Sequence, residues 1–295
     1  MGRLSQRTAT DGTVTAYEYD ASGRLIRETS AHGTSEARSS LTRYDAFGQV
    51  TGKLLGEASA RITAGMTDEQ IAAVYAQYGL TYAYDPLGRV ASVTDAAGNQ
   101  TRSYYDAAGR LTHVINALGE VSETVYSAFG EVSERAQLTN RLSDSDTASL
   151  AGGLNAQIKP LVQAIRNAAL DNRSTYAYDK RGLLSSNTDA LGYITSYGYN
   201  DFGEQSSITR SIASGQTVTQ SLSYNNRGER IGSVEDVGGL ARSTATTYDA
   251  FGRVISQTDG RGLTRTTAYA SNGRIITVKN PLNQGLTSEY DAFGR

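Results

Sequence analysis

A tyrosine-led motif recurs along the whole chain, and its spacing constrains the fold more than any other feature of the sequence. The motif is Tyr-Asp-x-x-Gly-Arg followed by an aliphatic residue, and eleven copies place Tyr first and Gly fifth. Several neighbouring copies lie 21 residues apart, as from Tyr84 to Tyr105. A fixed period of this length indicates a tandem repeat in which each unit is one supersecondary element. The copies begin at Tyr19, Tyr44, Tyr84, Tyr105, Tyr126, Tyr178, Tyr199, Tyr224, Tyr248, Tyr269 and Tyr290.

A second turn signal lies between copies of the motif. The segments 95–98 and 116–119 are two examples of Asp/Asn-x-x-Gly, in which the first side chain can bond the backbone and Gly tolerates positive φ. The runs between turns are rich in Thr, Val, Ile and Tyr, which favour strands. Each unit is therefore predicted to be strand, turn, strand, turn. The predicted fold class is all-β, with tandem antiparallel β-hairpin repeats forming a curved β-strip or spiral shell.

Each motif position has a predicted structural role. Asp and Gly shape the turn, Tyr builds the sheet face, and Arg can cover an aromatic ring or bond carboxylates in a planar fork. All five phenylalanines occupy the fourth motif position, where we expect each to pack a turn tip against a neighbouring repeat. These are Phe47, Phe129, Phe202, Phe251 and Phe293. The fullest copies supply the predicted structural motif residues: Tyr19, Asp20, Gly23, Arg24, Tyr84, Asp85, Gly88, Arg89, Tyr105, Asp106, Gly109, Arg110, Tyr248, Asp249, Gly252 and Arg253.

Two insertions, at about 55–79 and 138–173, interrupt an otherwise single array over residues 1–295. In the first, 67–70 is a capping-box sequence. Both insertions then show apolar residues at helical spacing, so we expect helices near 67–78 and 158–170, each packed on the sheet by one face. The apolar positions are Ile71, Val74, Tyr75 and Tyr78 in the first, and Ile158, Leu161, Val162, Ile165 and Ala169 in the second.

Composition argues against several function classes. The net charge is 28 − 30 = −2, so the chain lacks the basic excess that nucleic-acid binding usually requires. The absence of Cys excludes disulfides, thiolate metal sites and cysteine nucleophiles. No apolar run approaches the ~18 residues of a membrane helix, and the first residues show no signal-peptide apolar region. We therefore expect no nucleic-acid partner and no membrane span.

Few residues suggest chemistry beyond structure. The Asp/Asn turns could bind calcium, but each offers one such group where calcium loops supply several, so turn formation is favoured. Asp144 and Asp146 could form a metal-binding Asp-x-Asp, but they also suit a helix N-cap region. The only histidines, His32 and His113, have no Ser or Cys partner at any motif spacing. We predict no catalytic residue, no cofactor, no metal and no enzymatic activity.

The eleven motif copies resemble the YD repeats of the RHS-repeat family, which includes bacterial RHS polymorphic toxins, toxin-complex C-subunits, wall-associated proteins and teneurins. The resemblance extends from about Tyr17 to Arg295, apart from the insertions. In that family the repeats form a β-strip that spirals into a hollow shell, which in bacterial members often encloses a C-terminal toxin. The resemblance implies flanking shell repeats and a cargo toxin domain as partners. It also implies a secreted or cell-surface location, with type VI or toxin-complex delivery.

Two function classes remain open from the sequence. The first is a non-catalytic shell segment that encapsulates a C-terminal toxin or effector. The second is a cell-surface recognition module that binds carbohydrate or a partner protein, because Tyr faces beside Asp and Asn resemble sugar sites. The sequence stops at Arg295, directly after a turn, and shows no recognisable toxin domain. We therefore expect a piece of a longer repeat protein whose unpaired edge strands promote self-association.

Overall fold

Strand and turn alternate through both halves of the chain in the computed structural model, which describes residues 2–213, 215–237, 240–270 and 275–291. Nearly all of the regular structure is antiparallel β, which confirms the all-β class and the antiparallel hairpins of the prediction. The chain divides into two compact units. The first comprises residues 1–126 and 134–172, and the second comprises 127–133 and 173–295.

The first unit is a meander in which each strand pairs antiparallel with the next, from β1 through β10. The next strand in the chain, at residues 132–137, contains residues of both units. The strands are β1 (Gln6–Thr8), β2 (Val14–Tyr19), β3 (Leu25–Ser30), β4 (Arg38–Tyr44), β5 (Val50–Leu55), β6 (Leu80–Tyr84), β7 (Val90–Thr94), β8 (Gln100–Tyr105), β9 (Leu111–Ile115), β10 (Val121–Tyr126) and β11 (Val132–Gln137).

The second unit is a meander of the same kind, with consecutive antiparallel pairing from β12 to β22. Its middle strands, β15 to β18, are the longest. The strands are β12 (Asn172–Tyr178), β13 (Leu184–Thr188), β14 (Ile194–Tyr199), β15 (Gln205–Ala213), β16 (Gln216–Tyr224), β17 (Arg230–Val237), β18 (Leu240–Tyr248), β19 (Val254–Thr258), β20 (Thr264–Tyr269), β21 (Ile275–Lys279) and β22 (Gly285–Glu289).

The motif turns share one backbone design. At the β8–β9 hairpin, the Gly109 N–H donates to the Asp106 carbonyl at 3.0 Å, and the Asp106 N–H donates to the Arg110 carbonyl at 3.0 Å. Gly109 has a φ of 82°, in the left-handed region that favours glycine. This is the turn with a terminal left-handed residue that commonly closes short hairpins. The Asp/Asn-x-x-Gly turns between motif copies repeat the same pair of bonds, as at Asp95 and Gly98.

A β-bulge follows the turn in eight motif hairpins. In the β8–β9 hairpin, Tyr105 lies opposite Leu111 and Tyr104 lies opposite His113, so Thr112 is an extra residue. A bulge of this kind disrupts the ladder locally and leaves a backbone group without its regular partner. It therefore creates an unpaired backbone site at the same place in successive repeats.

The first insertion is helical, as predicted. A 3₁₀ helix covers Gly56–Arg61, and helix α1 covers Asp68–Tyr78. The predicted capping box is present: the Gln70 N–H donates to the Thr67 hydroxyl at 3.3 Å, and the Thr67 N–H donates to the Gln70 side-chain oxygen at 2.9 Å. Two reciprocal bonds of this kind satisfy donors that a helix start leaves open.

The second insertion is only partly as predicted. Helix α2 covers Asp144–Ala148 and helix α3 covers Ile158–Ile165, so the helix expected to reach residue 170 ends earlier. Arg166 is extended at the helix end, where its guanidinium bonds two carboxylates on the sheet. The ion pairs of Arg166 with the sheet compete with continuation of the helix. The spacing of apolar residues carries no information about such ion pairs. The Asp171 carboxylate then accepts from the Asn167 N–H at 2.8 Å and shapes the following loop.

The buried core belongs to the first unit. Both insertions cover apolar side chains of the sheet there, whereas no described residue of the second unit is buried. The second unit therefore depends on its ladders and on half-buried side chains between repeats. The first cluster contains Leu41, Leu54 and Tyr75, and the second contains Tyr104, Ile115, Val121, Ala136, Leu138, Leu142, Leu150, Ile158 and Val162.

Candidate functional site

The motif tyrosines join each repeat to the one before it. The Tyr105 hydroxyl donates to the Val90 carbonyl at 3.0 Å. Val90 lies opposite Tyr84 at the bulge of the preceding hairpin, so the phenol satisfies a backbone acceptor beside the disrupted ladder. Ten tyrosines make this bond: Tyr19, Tyr44, Tyr84, Tyr105, Tyr126, Tyr178, Tyr199, Tyr224, Tyr248 and Tyr269.

The motif arginines strengthen the same junction. The Arg89 Nε donates to the Asp85 carboxylate at 2.7 Å, and its guanidinium carbon lies 4.4 Å from the centre of the Tyr105 ring. One side chain thus closes its own turn and covers the tyrosine of the next repeat, a favourable cation–π geometry. The same arrangement joins Arg24 to Tyr44, Arg110 to Tyr126 and Arg253 to Tyr269, at 4.9, 4.5 and 4.2 Å. Arg24, Arg110 and Arg253 also pair with Asp20, Asp106 and Asp249.

Several turn aspartates, Asp20 and Asp95 among them, have a carboxyl pKa below its usual value. The backbone N–H of Arg24 lowers the pKa of the Asp20 carboxyl below its usual value of 3.8, and the Arg24 guanidinium acts in the same direction. At Asp95, the side chain and backbone N–H of Asn99 lower the carboxyl pKa. Each bond favours the charged form because a carboxylate accepts more strongly than a neutral acid.

Acid should therefore destabilise the repeats. A pKa lower in the folded state than in the unfolded state gives stability that is present above the unfolded value and lost as pH falls through the folded value. We expect the urea midpoint to be steady from pH 7 to about 5 and to fall below about pH 4. The double variant Asp95→Asn, Asp259→Asn keeps acceptors in two turns and should fall less steeply. An equal acid loss in this variant would show that these carboxylates do not contribute.

Sequence reasoning missed a correlation between the second and sixth motif positions. Where Glu replaces Arg after the Gly, the second residue is Asn or Ser and not Asp. In the structure, the Asn200 amide donates to the Glu204 carboxylate at 2.6 Å, and Asn225 donates to Glu229 at 2.6 Å. Ser127 makes the corresponding bond to Glu131. The exchange avoids two carboxylates facing each other across the turn, and the paired positions could have been found by comparing the copies.

This correlation predicts a rescue. Arg110→Glu should destabilise the first unit by about 2 kcal/mol, because it faces Asp106 with a like charge and removes the cation from the Tyr126 ring. Adding Asp106→Asn should restore about 1 kcal/mol, since the pair then matches Asn200 and Glu204. The four proteins of this double-mutant cycle can be compared by urea denaturation. A strictly additive cycle would refute coupling across the turn.

The expectation for the phenylalanines is wrong at the four positions that the structure describes. Phe47, Phe129, Phe202 and Phe251 are 91%, 92%, 89% and 83% exposed and do not pack against a neighbouring repeat. The fourth motif residue lies at the tip of its turn and points away from the ladder, whereas Tyr and Arg occupy the contact between repeats. Phe293 lies outside the described residues.

His113 belongs to a buried polar cluster beneath the second insertion. Its Nε2 lies 3.4 Å from Glu123, and its Nδ1 lies 2.9 Å from the Thr112 hydroxyl. Arg166 bonds Glu123 and also Glu134, the latter at 3.2 Å. Burial opposes ionisation of Glu123, but His113 and Arg166 outweigh it and hold the pKa of this carboxyl below its usual range. The cluster fastens the end of α3 to the sheet.

The Asp-x-Asp sequence at 144–146 lies at the start of a helix. Ser143 caps helix α2 by accepting from the Asp146 N–H at 3.1 Å, so Asp144 and Asp146 lie in the first turn of that helix. No group of three or more potential metal ligands occurs among the described residues. Within the same residues, no helix is long and apolar enough to cross a membrane.

The repeated junction and the paired hairpins define a tandem β-hairpin repeat protein. Four segments match the family model described as RHS Repeat, at residues 2–35, 84–121, 178–217 and 248–282. The chain is an RHS-repeat protein, which confirms the family predicted from its eleven motif copies. No curated protein is significantly similar in sequence.

The solved structures that match this chain include toxin-complex structures. The TcdB2-TccC3-Cdc42 crystal structure is 16% identical over 91% of this chain, with a TM-score of 0.42. TcdB2-TccC3 without its hypervariable C-terminal region is 18% identical over 91% of this chain, with a TM-score of 0.40. The Photorhabdus luminescens Tc holotoxin pore is 16% identical over 94%, with a TM-score of 0.30. This chain spans 15%, 15% and 19% of those chains.

Proposed function

We propose that residues 1–295 act as one repeat array, a wall segment of a shell that encapsulates a polypeptide cargo such as a toxin or effector, and that this segment does no catalysis. The tyrosine-to-carbonyl bond, made by ten motif tyrosines, is the observation that carries the proposal. Because every such junction uses the same contact, the repeat can be extended indefinitely, which suits a wall of arbitrary length.

The motif residues serve the wall in this proposal, and they are poor candidates for a ligand site. At Tyr44, Tyr105, Tyr126 and Tyr269, an Arg of the preceding repeat lies over the ring. A sugar or a base would need that ring face for stacking. The proposed partners are flanking shell repeats and the cargo, in a protein that is secreted or displayed at the cell surface.

One observation favours an alternative, a recognition module for a partner protein. Phe129, Phe202 and Phe251 of the second unit are all more than four-fifths exposed, and aromatic side chains are enriched in protein interfaces. Triple substitution of these residues by Ser should leave folding intact, because they contact no neighbouring repeat. Loss of a cell-surface binding activity in that variant would favour recognition.

Limited proteolysis tests encapsulation directly. The chain would be expressed within a longer natural polypeptide that includes its C-terminal flank, and digestion of that flank would be followed in the native and unfolded states. We expect strong protection of the cargo in the native state only. A flank digested equally fast in both states would refute encapsulation.

A further inference from the structure

The ladders between neighbouring repeats end before the motif tyrosine is reached. Between β7 and β8, the last pair is Ser92 opposite Arg102. The backbone groups of successive residues point to opposite sides of an antiparallel strand. The Asp106 N–H points into its own turn, where it donates to the Arg110 carbonyl. The Tyr105 N–H and the Ser103 carbonyl therefore face the preceding repeat. A slot therefore lies between the two repeats, with one donor and one acceptor on its wall.

A piece of the second insertion fills this slot. The Gly153 N–H donates to the Ser103 carbonyl at 2.8 Å, and the Tyr105 N–H donates to the Gly153 carbonyl at 3.1 Å. Gly153 thereby forms a parallel bridge with Tyr104. A Cβ on Gly152 would lie 2.2 Å from the Ala91 carbonyl oxygen, and one on Gly153 would lie 2.8 Å from the Asp85 Cβ. The slot thus admits backbone and excludes side chains.

Two other junctions have a cavity at the equivalent place. At the junction between the Tyr19 and Tyr44 repeats, a cavity of about 340 Å³ is lined by Asp20, Ile26, Thr42 and Tyr44. At the junction between the Tyr105 and Tyr126 repeats, a cavity of about 290 Å³ is lined by Asp106, Thr112, Thr124 and Tyr126. These four motif positions are the ones that Asp85, Ala91, Ser103 and Tyr105 occupy around the filled slot.

The ladders stop at the same point in both cases. The last pairs are Arg27 with Leu41 and His113 with Glu123. The same alternation of backbone groups holds at these two junctions. The carbonyls of Thr42 and Thr124 and the N–H groups of Tyr44 and Tyr126 therefore point into the cavities, as the Ser103 carbonyl and the Tyr105 N–H point into the filled slot. Insertion residues complete the outer walls, with Ile71 and Tyr75 of α1 on one cavity and Val162 and Gln163 of α3 on the other.

We infer that these two cavities are binding slots for an extended peptide containing a Gly-Gly pair, held as Gly152 and Gly153 are held. The peptide accepts from the Tyr44 or Tyr126 N–H and donates to the Thr42 or Thr124 carbonyl, as a short parallel strand. Recognition by backbone bonds gives affinity in this mode, and steric exclusion of a Cβ gives selectivity for glycine. The inference does not depend on encapsulation.

A peptide copied from the insertion provides the test. The probe is the acetylated and amidated hexapeptide Leu-Ala-Gly-Gly-Leu-Asn, added to the full chain labelled with ¹⁵N-tyrosine. We expect saturable shifts of the Tyr44 and Tyr126 amide signals. The Leu-Ala-Ala-Ala-Leu-Asn peptide should bind at least about tenfold more weakly, because each added Cβ meets the slot wall. Equal binding of the two peptides, or the absence of a saturable shift at both tyrosines, overturns the inference.

A matched pair of variants locates the effect. Gln163 lines the second cavity and is exposed, so Gln163→Trp should occlude that slot without disturbing the core. The neighbouring Ala164 is also exposed but does not line the cavity, which makes Ala164→Trp the control. We expect Gln163→Trp to abolish the response of Tyr126 and to leave that of Tyr44. A Tyr126 response that survives Gln163→Trp contradicts binding in the slot.

Discussion

Replacing Gly152 by Ala should lower the free energy of unfolding of the first unit by about 3–4 kcal/mol. Two costs add at this position. Gly152 has a φ of 81°, which an L-residue adopts only with strain, and the new Cβ would lie 2.2 Å from the Ala91 carbonyl oxygen. Because that oxygen belongs to the sheet backbone, the insertion must move out of its slot. Urea dependence of amide hydrogen exchange in β8 and β9 measures the effect.

Gly98→Ala is the matched control. Gly98 has a φ of 82°, nearly the same as Gly152, but a Cβ there would meet nothing within 4 Å. This variant should cost only the backbone strain, about 1–2 kcal/mol. The difference between the two variants isolates the close approach of the insertion to the sheet. If both lose the same stability, the slot is looser than the distances indicate.

Tyr105→Ala should destabilise the first unit by about 3 kcal/mol, near the lower end for a lost aromatic side chain because the residue is only half-buried. The change removes the bond to the Val90 carbonyl, the ring beneath Arg89 and the packing between two repeats. Tyr105→Phe keeps the ring and should cost about 1 kcal/mol, the usual value of a hydrogen bond. Thermal and urea denaturation of both variants separate the two contributions.

Tyr193 provides the comparison for a tyrosine outside the motif. It is 42% exposed and follows a turn between motif copies, so Tyr193→Phe should change stability by less than about 0.5 kcal/mol. Indistinguishable losses in Tyr105→Phe and Tyr193→Phe would mean that the bond between repeats adds nothing to folding.

Local chemistry explains the features that the sequence predicted well. The turn at Asp106 and Gly109 is closed by bonds within five residues, and the capping box at Thr67 and Gln70 spans four. Such contacts form between neighbours in the chain whatever lies around them, so residue type and spacing are enough to predict them. The sequence predicted that a motif Arg can cover an aromatic ring, as Arg89 covers the Tyr105 ring. Which tyrosine each Arg contacts depends on the pairing of the repeats.

The features that sequence reasoning missed depend on backbone groups that are distant along the chain. The Tyr105 hydroxyl donates to the Val90 carbonyl at the bulge, fifteen residues away. The type of residue at position 90 does not indicate that its carbonyl is available to a side chain. Arg166 ends helix α3 where it reaches Glu123, across 43 residues. The direction of Phe47 follows from the geometry of a turn tip, which residue hydrophobicity does not describe.

The sequence by itself determined the period and the family, because both follow from the residues and spacing of the motif copies. It also determined the turns and the hairpin repeat, because these depend on contacts within one repeat. Only the tertiary structure decided where the insertions bind. Gly152 and Gly153 are two small residues in a loop until the sheet places the Ala91 carbonyl and the Asp85 side chain against them. The physical reason is steric: a slot between two repeats exists only after both have folded, and its shape then selects the one residue type without a Cβ.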